Sequence, residues 1–114
     1  MSDILLREDL NKVATLTLNR PEALNALSED MMTAVQDTLE RIAVDPGVKA
    51  VVLKGAGRGF CAGHDLKEMQ GKRQAPDGGK AYYSALLAQC TRLMTTIPKL
   101  PQPVIAQVHG IATA

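Results

Sequence analysis

The residues best able to do chemistry lie in one segment, Gly59-Phe60-Cys61-Ala62-Gly63-His64-Asp65-Leu66-Lys67-Glu68-Met69. Gly63 can take a positive φ and precedes a short stretch of helical character, so the backbone N–H groups of His64 and Asp65 are expected as orphan donors at a helix start. Such donors outline an anion or oxyanion site. They suit reactions in which a carbonyl oxygen gains negative charge, because the stabilisation is preorganised and needs no titrating side chain. A plain glycine turn opening a helix accounts for the same residues taken alone.

Other chemistries fit less well. Cys61, His64, Cys90 and His109 could in number close a tetrahedral zinc site. Only Cys61-x-x-His64 is local, however, and Cys90 falls on the apolar face of a predicted helix, so no metal is expected and both cysteines are read as free thiols. A His64–Asp65 base and orienter pair is disfavoured, since adjacent residues seldom face one another. The cluster Gly55-Ala56-Gly57-Arg58-Gly59 fails the dinucleotide fingerprint, which needs glycine where Phe60 stands, and lacks the Gly-Lys-Ser/Thr of a phosphate loop.

The elements around this segment follow from pattern. Ile4–Arg7 and Val13–Leu18 flank an expected turn at Asp9–Lys12 and read as a hairpin, with Ala14, Leu16 and Leu18 alternating against Thr15 and Thr17. Pro21–Leu27 is a connector. Ser28 is placed to cap a helix that carries Met32, Val35, Leu39 and Ile42 on one face and stops at Asp45-Pro46-Gly47. Val48–Leu53 reads as a strand covered on both faces. A polar loop, Gly71–Gly79, leads to a second amphipathic helix with Tyr83, Leu86, Leu87, Cys90, Leu93 or Met94, and Ile97, ended by Pro98, Pro101 and Pro103. Val104–Val108 is a last strand, and His109-Gly110 turns. Helices alternating with strands predict an α/β layered fold with some parallel pairing.

Composition narrows the function. The 114 residues carry 13 Lys+Arg against 12 Asp+Glu, and 46% are apolar, which suits one folded domain rather than a disordered chain. A balanced charge and only three aromatics, Phe60, Tyr82 and Tyr83, give neither a field for phosphates nor a stacking platform, so no nucleic-acid partner is expected. No window approaches a membrane span, and Met1–Leu10 carries acids where a signal peptide would be basic and then apolar. A cytoplasmic location with no membrane partner is the expectation.

Three blocks in order carry a resemblance: Asn19-Arg20-Pro21-Glu22-Ala23-Leu24-Asn25-Ala26-Leu27, then Gly59–Met69, then Pro103-Val104-Ile105-Ala106-Gln107-Val108-His109-Gly110. Together they resemble the enoyl-CoA hydratase/isomerase (crotonase) superfamily. The resemblance implies a spiral of ββα turns, acyl-CoA substrates of fatty acid metabolism, and an oxyanion hole of two backbone N–H groups that holds the thioester oxygen as an enolate. Matched residue by residue, the first donor is the His64 N–H. Ala23, Leu24 and Ala26 line one wall of the coenzyme A channel, and Ala62, Gly63, Asp65 and Leu66 the other. Coenzyme A enters as part of the substrate, with no further cofactor, and relatives form homotrimers or hexamers.

Two departures matter. Many relatives carry a small residue at the position of His64, whose imidazole is read as shaping the site rather than catalysing. The second donor, a glycine, is placed by the resemblance immediately after Ala114, and the catalytic glutamates farther on; Glu68 substitutes for neither. The expectation is therefore that 1–114 is the N-terminal part of a single crotonase-like domain, truncated and inactive alone. Loss of one oxyanion donor costs roughly 10²–10³ in rate, and loss of the acid/base about 10²–10⁴ more. The alternative is a stand-alone, non-catalytic acyl-CoA-binding or assembly module.

Overall fold

Alternation gives β2 (Val13–Leu18) one buried face: Ala14, Leu16 and Leu18 are 0–3% exposed. In the computed structural model, which describes residues 3–113, β2 pairs antiparallel with β1 (Leu5–Leu10). Met1, Ser2 and Ala114, included in the expected 1–114 domain, lie outside the described residues. The hairpin turn is tighter than Asp9–Lys12. Only Asn11 and Lys12 form it, both at positive φ (52° and 67°), a two-residue loop whose twist matches its strands, so Asp9 and Leu10 belong to β1.

Helix α1 (Glu29–Ala43) begins where Ser28 accepts the Met31 N–H at 3.1 Å, with Glu29 and Asp30 facing the positive end of the helix dipole. Met32, Val35, Leu39 and Ile42 are buried as their spacing requires. The following strand, β3 (Ala50–Gly55), starts two residues later than the expected Val48. Val48 is buried, but its N–H turns back to Asp45 O at 3.2 Å; apolarity marked burial there and not ladder pairing. Nor is β3 fully covered on both faces: Val51 and Gly55 are buried, while its other residues are half-buried.

Leu66–Gly71 forms a short helix, α2, followed by a 3-10 turn at Lys72–Gln74, so the expected polar loop is partly helical. Helix α3 (Lys80–Lys99) is launched by Asp77, whose carboxylate accepts the N–H groups of Gly79 (2.9 Å) and Ala81 (3.0 Å). The Ala81 bond first, then that of Gly79, holds the Asp77 carboxyl below its ordinary value. On α3, Leu86 is buried, and of the alternatives Leu93 and Met94 it is Leu93 that is buried, whereas Leu87, also expected on the apolar face, is 58% exposed. Pro98 sits inside the last turn, and the helix stops at Lys99, within the cluster of Pro98, Pro101 and Pro103 expected to end it.

Strand β4 (Val104–Ala106) is shorter than the expected Val104–Val108. Gln107 still donates to Leu53 O at 2.8 Å, after which Val108, 55% exposed, leaves the sheet. The sheet order is β1-β2-β3-β4, with β2, β3 and β4 mutually parallel and helices crossing between them, which gives the α/β class expected. One core lies between this sheet, α1 and α3. Gln102 pins the approach to β4 against the end of α1, donating to Ile42 O at 2.7 Å and Val48 O at 3.2 Å. Among the described residues no helix is long and apolar enough to cross a membrane.

Candidate functional site

A second, smaller ladder forms where three connecting segments meet. The connector after β2 makes a 3-10 turn at Pro21–Ala23 and then places Leu24 and Asn25 at positive φ (51° and 55°). Residues 60–65 run beside it: Ala62 N–H donates to Leu24 O (3.0 Å), Leu27 N–H to Gly63 O (2.7 Å) and Asp65 N–H to Leu27 O (3.2 Å). On their other edge, Phe60 and Cys61 donate to Ile111 O (2.9 and 3.1 Å), and Thr113 donates to Cys61 O (3.0 Å). Leu27 with His64 and Cys61 with Ala112 are thus parallel bridges on opposite sides of one short strand.

This pattern fixes the direction of the His64 amide. In a trans peptide C=O and N–H point opposite ways, and among the described residues none is cis. The Gly63 carbonyl points at Leu27, so the His64 N–H, in the same peptide plane, points away from Leu27. Gly63, at φ 89°, permits that peptide orientation without a Cβ clash. Among the described residues the His64 N–H donates to nothing. The Asp65 amide, expected as a second orphan, is instead bonded to Leu27, and the start of α2 is closed by Asp65 itself, whose Oδ1 accepts the Glu68 N–H at 3.1 Å. One donor is left open here, not two, and it belongs to a bridge rather than a helix end.

Residues without an assigned role in the sequence reading hold the ladder. Asn25, fully buried, accepts the Arg20 N–H at 2.8 Å through Oδ1 and donates through Nδ2 to Ala56 O (3.0 Å), Gly59 O (3.0 Å) and Phe60 O (3.2 Å). Arg20 Nη1 donates to Ala26 O (3.3 Å) and pairs with Asp65 Oδ2 (3.2 Å). The Glu68 N–H first, and then Arg20, hold the Asp65 carboxyl below its usual range. Glu68 Oε1 accepts the Glu29 N–H (2.9 Å) and the Tyr82 hydroxyl (3.2 Å), which joins α2 to α1 and α3. Burial, with Glu68 adding to it, pushes the Tyr82 hydroxyl up to about 12. The available signal was Asn25, a residue type that tolerates left-handed backbone and bonds locally.

The expected channel residues do meet in part. Leu24 is bonded to Ala62, and Ala26 is joined to Asp65 through Arg20, but no bond ties Ala23 to the other wall among the described residues, Leu66 is 73% exposed and both oxygens of Asp65 are engaged within the protein. The His64 imidazole is half-buried, and its Nδ1 is shielded from solvent without a hydrogen-bond partner among the described residues. Cys61 is buried; burial raises its thiol pKa, offset in part by the Gly63 N–H donating to Sγ at 3.4 Å. Cys61, His64, Cys90 and His109 do not converge, and among the described residues no three His, Cys, Asp or Glu side chains are grouped to hold a metal. Next to the ladder lies an apolar cleft of about 270 Å³, walled by Leu27, Phe60, Cys61, Leu93 and Met94 among others.

The class so defined is a layered α/β protein with a backbone donor left open where its connectors meet. The chain belongs to the enoyl-CoA hydratase/isomerase (crotonase) superfamily: the family model described as Enoyl-CoA hydratase/isomerase matches residues 13–113. It is 37% identical over 117 residues to the 1,2-epoxyphenylacetyl-CoA isomerase of Escherichia coli, covering 98% of this chain and 42% of that protein. The crystal structure of an enoyl-CoA hydratase of Mycobacterium smegmatis superposes with a TM-score of 0.90 at 53% identity, over 99% of this chain and 42% of that one. Human enoyl coenzyme A hydratase domain-containing protein 3 does so with a TM-score of 0.86 at 28% identity, over 98% and 42%. The fold is therefore the N-terminal portion of the crotonase spiral, and the chain spans about two fifths of the length of these relatives.

Proposed function

We propose that residues 1–114 serve as the N-terminal part of a single crotonase-like domain acting on acyl-CoA thioesters, as a hydratase or isomerase. In this reading the His64 N–H donates to the thioester carbonyl oxygen as the first oxyanion donor and stabilises the enolate as charge develops. The observation that supports it most is the direction of the His64 amide, turned out of the ladder by Gly63 and Leu27 and unbonded among the described residues. Ala23, Leu24 and Ala26 on one side and Ala62 and Gly63 on the other are the walls this reading gives a narrow channel for the pantetheine arm, since small side chains leave room for a long ligand.

With one donor and no residue matched to the catalytic acid or base, the chain alone binds thioester without turning it over. Coenzyme A enters as part of the substrate and no other cofactor takes part. A cytoplasmic homotrimer or hexamer is the assembly this reading carries for a protein of the relatives' length. The test is a two-dimensional amide NMR titration of the chain with butyryl-CoA and, separately, with S-butyl-coenzyme A, a thioether without the carbonyl. Shifts at Ala26, Gly63 and Asp65 with both ligands, and at His64 with the thioester alone, are expected. Unmoved spectra, or identical His64 shifts with both ligands, would reject the reading.

A further inference from the structure

We infer that Arg20 is a positioning residue for the His64 amide, acting through Asp65 and Ala26. The inference rests on the carbonyl-binding role proposed above and adds the group that holds the donor in place. Two bonds from Leu27 set the His64 peptide, one to Gly63 O and one from Asp65 N–H, at 2.7 and 3.2 Å. Leu27 lies between Ala26 and Ser28, and His64 between Gly63 and Asp65, so whatever fastens Ala26 to Asp65 fastens the bridge.

Arg20 Nη1 does so with one nitrogen, reaching Ala26 O at 3.3 Å and Asp65 Oδ2 at 3.2 Å. The two side chains are 24% and 14% exposed, which removes much of the solvent screening that makes surface pairs weak. At the other end of the residue, the Arg20 N–H is fixed by Asn25 Oδ1 at 2.8 Å, and its carbonyl accepts the N–H groups of Ala23 and Asn25 at 3.0 and 2.9 Å. The arginine therefore starts from an anchored backbone and crosses the ladder at the residues beside the bridge. Nη1 carries two N–H donors fixed in the guanidinium plane, one for the carbonyl and one for the carboxylate, whereas a lysine ammonium in the same place is a rotating point charge on a more flexible stem.

The test is amide hydrogen exchange on the full chain, read residue by residue, for Arg20→Ala, Arg20→Lys and Asp65→Asn. In Arg20→Ala the Leu27 and Asp65 amides are expected to exchange about tenfold faster or more, with Arg20→Lys intermediate, while the Val51 amide, bonded to Pro103 O in the main sheet, stays within about twofold of the parent. Unchanged exchange at Leu27 and Asp65, or equal acceleration at Val51, would overturn the inference. If Arg20→Ala does not fold, the other two variants decide by the same criteria. A second readout is the His64 shift with butyryl-CoA, expected to shrink in Arg20→Ala and to return in part in Arg20→Lys. If the parent chain gives no thioester-specific shift, the carbonyl-binding reading fails, and exchange alone still decides whether Arg20 holds the bridge.

Discussion

Replacing Asn25 by alanine separates hydrogen bonding from backbone conformation at the centre of the ladder. The substitution strands the Arg20 N–H and the carbonyls of Ala56, Gly59 and Phe60, all within 3.2 Å of a fully buried carboxamide. A stranded buried polar group costs about 1–3 kcal/mol. With rim carbonyls recovering water, the bonds together come to about 3 kcal/mol. Asn25 is also left-handed, at φ 55°, where an alanine costs about 1 kcal/mol more. The sum, about 4 kcal/mol, corresponds to a fall in melting temperature of about 15 °C for a domain of this size. Calorimetry or thermal circular dichroism reads it directly. Asn25→Gly keeps the conformation and is expected to be about 1 kcal/mol milder than Asn25→Ala. Asn25→Asp keeps an acceptor for Arg20 but turns a carboxylate toward three carbonyls, and should not rescue. A loss below about 1 kcal/mol for Asn25→Ala, or parent-like stability for Asn25→Asp, would refute this assignment of the clamp.

Other consequences follow from particular residues. Gly63→Ala places a Cβ at φ 89°, which is expected to destabilise by about 1–2 kcal/mol and to turn the His64 peptide, abolishing thioester-specific shifts in an amide NMR titration. The Asp65 carboxyl is held below its ordinary value, so its contribution to stability is present above the unfolded pKa near 3.9 and is lost as pH falls through the folded one; denaturation from pH 5 to 2 should be shallower for Asp65→Asn than for the parent. Tyr82 is raised to about 12, so ultraviolet titration should show a tyrosine ionising near that pH, and folded stability should decline as pH climbs from the unfolded value toward it. Tyr82→Phe should remove that step at a cost of about 1 kcal/mol, measured by urea unfolding.

What could be read in the sequence is what local chemistry decides. Ser28 followed by Glu29, with Met32, Val35, Leu39 and Ile42 at helical spacing, specifies a capped, one-sided helix without outside help, and α1 is there. Gly63 before His64 flagged the open amide for the same reason. The direction of that amide was not legible, because it depends on Leu27, a partner far along the chain. The Asp65 amide differs from its expectation for the same cause: the sequence shows an open helix start, but Leu27 O accepts that donor. The spacing places Leu87 inside because periodicity reports a face and not what covers it, and only the stripe through Leu86 and Leu93 meets the core. The apolarity of Val48 suits a strand, although its N–H is spent on a turn to Asp45 O.

The most direct measurement is isotope-edited infrared spectroscopy of butyryl-CoA labelled with carbon-13 at the thioester carbonyl, bound to the parent chain and to Gly63→Ala. A hydrogen bond from His64 polarises that carbonyl, so its band should lie at lower frequency on the parent than on the variant. A band at the same frequency on both would mean that the His64 amide does not hold the thioester oxygen.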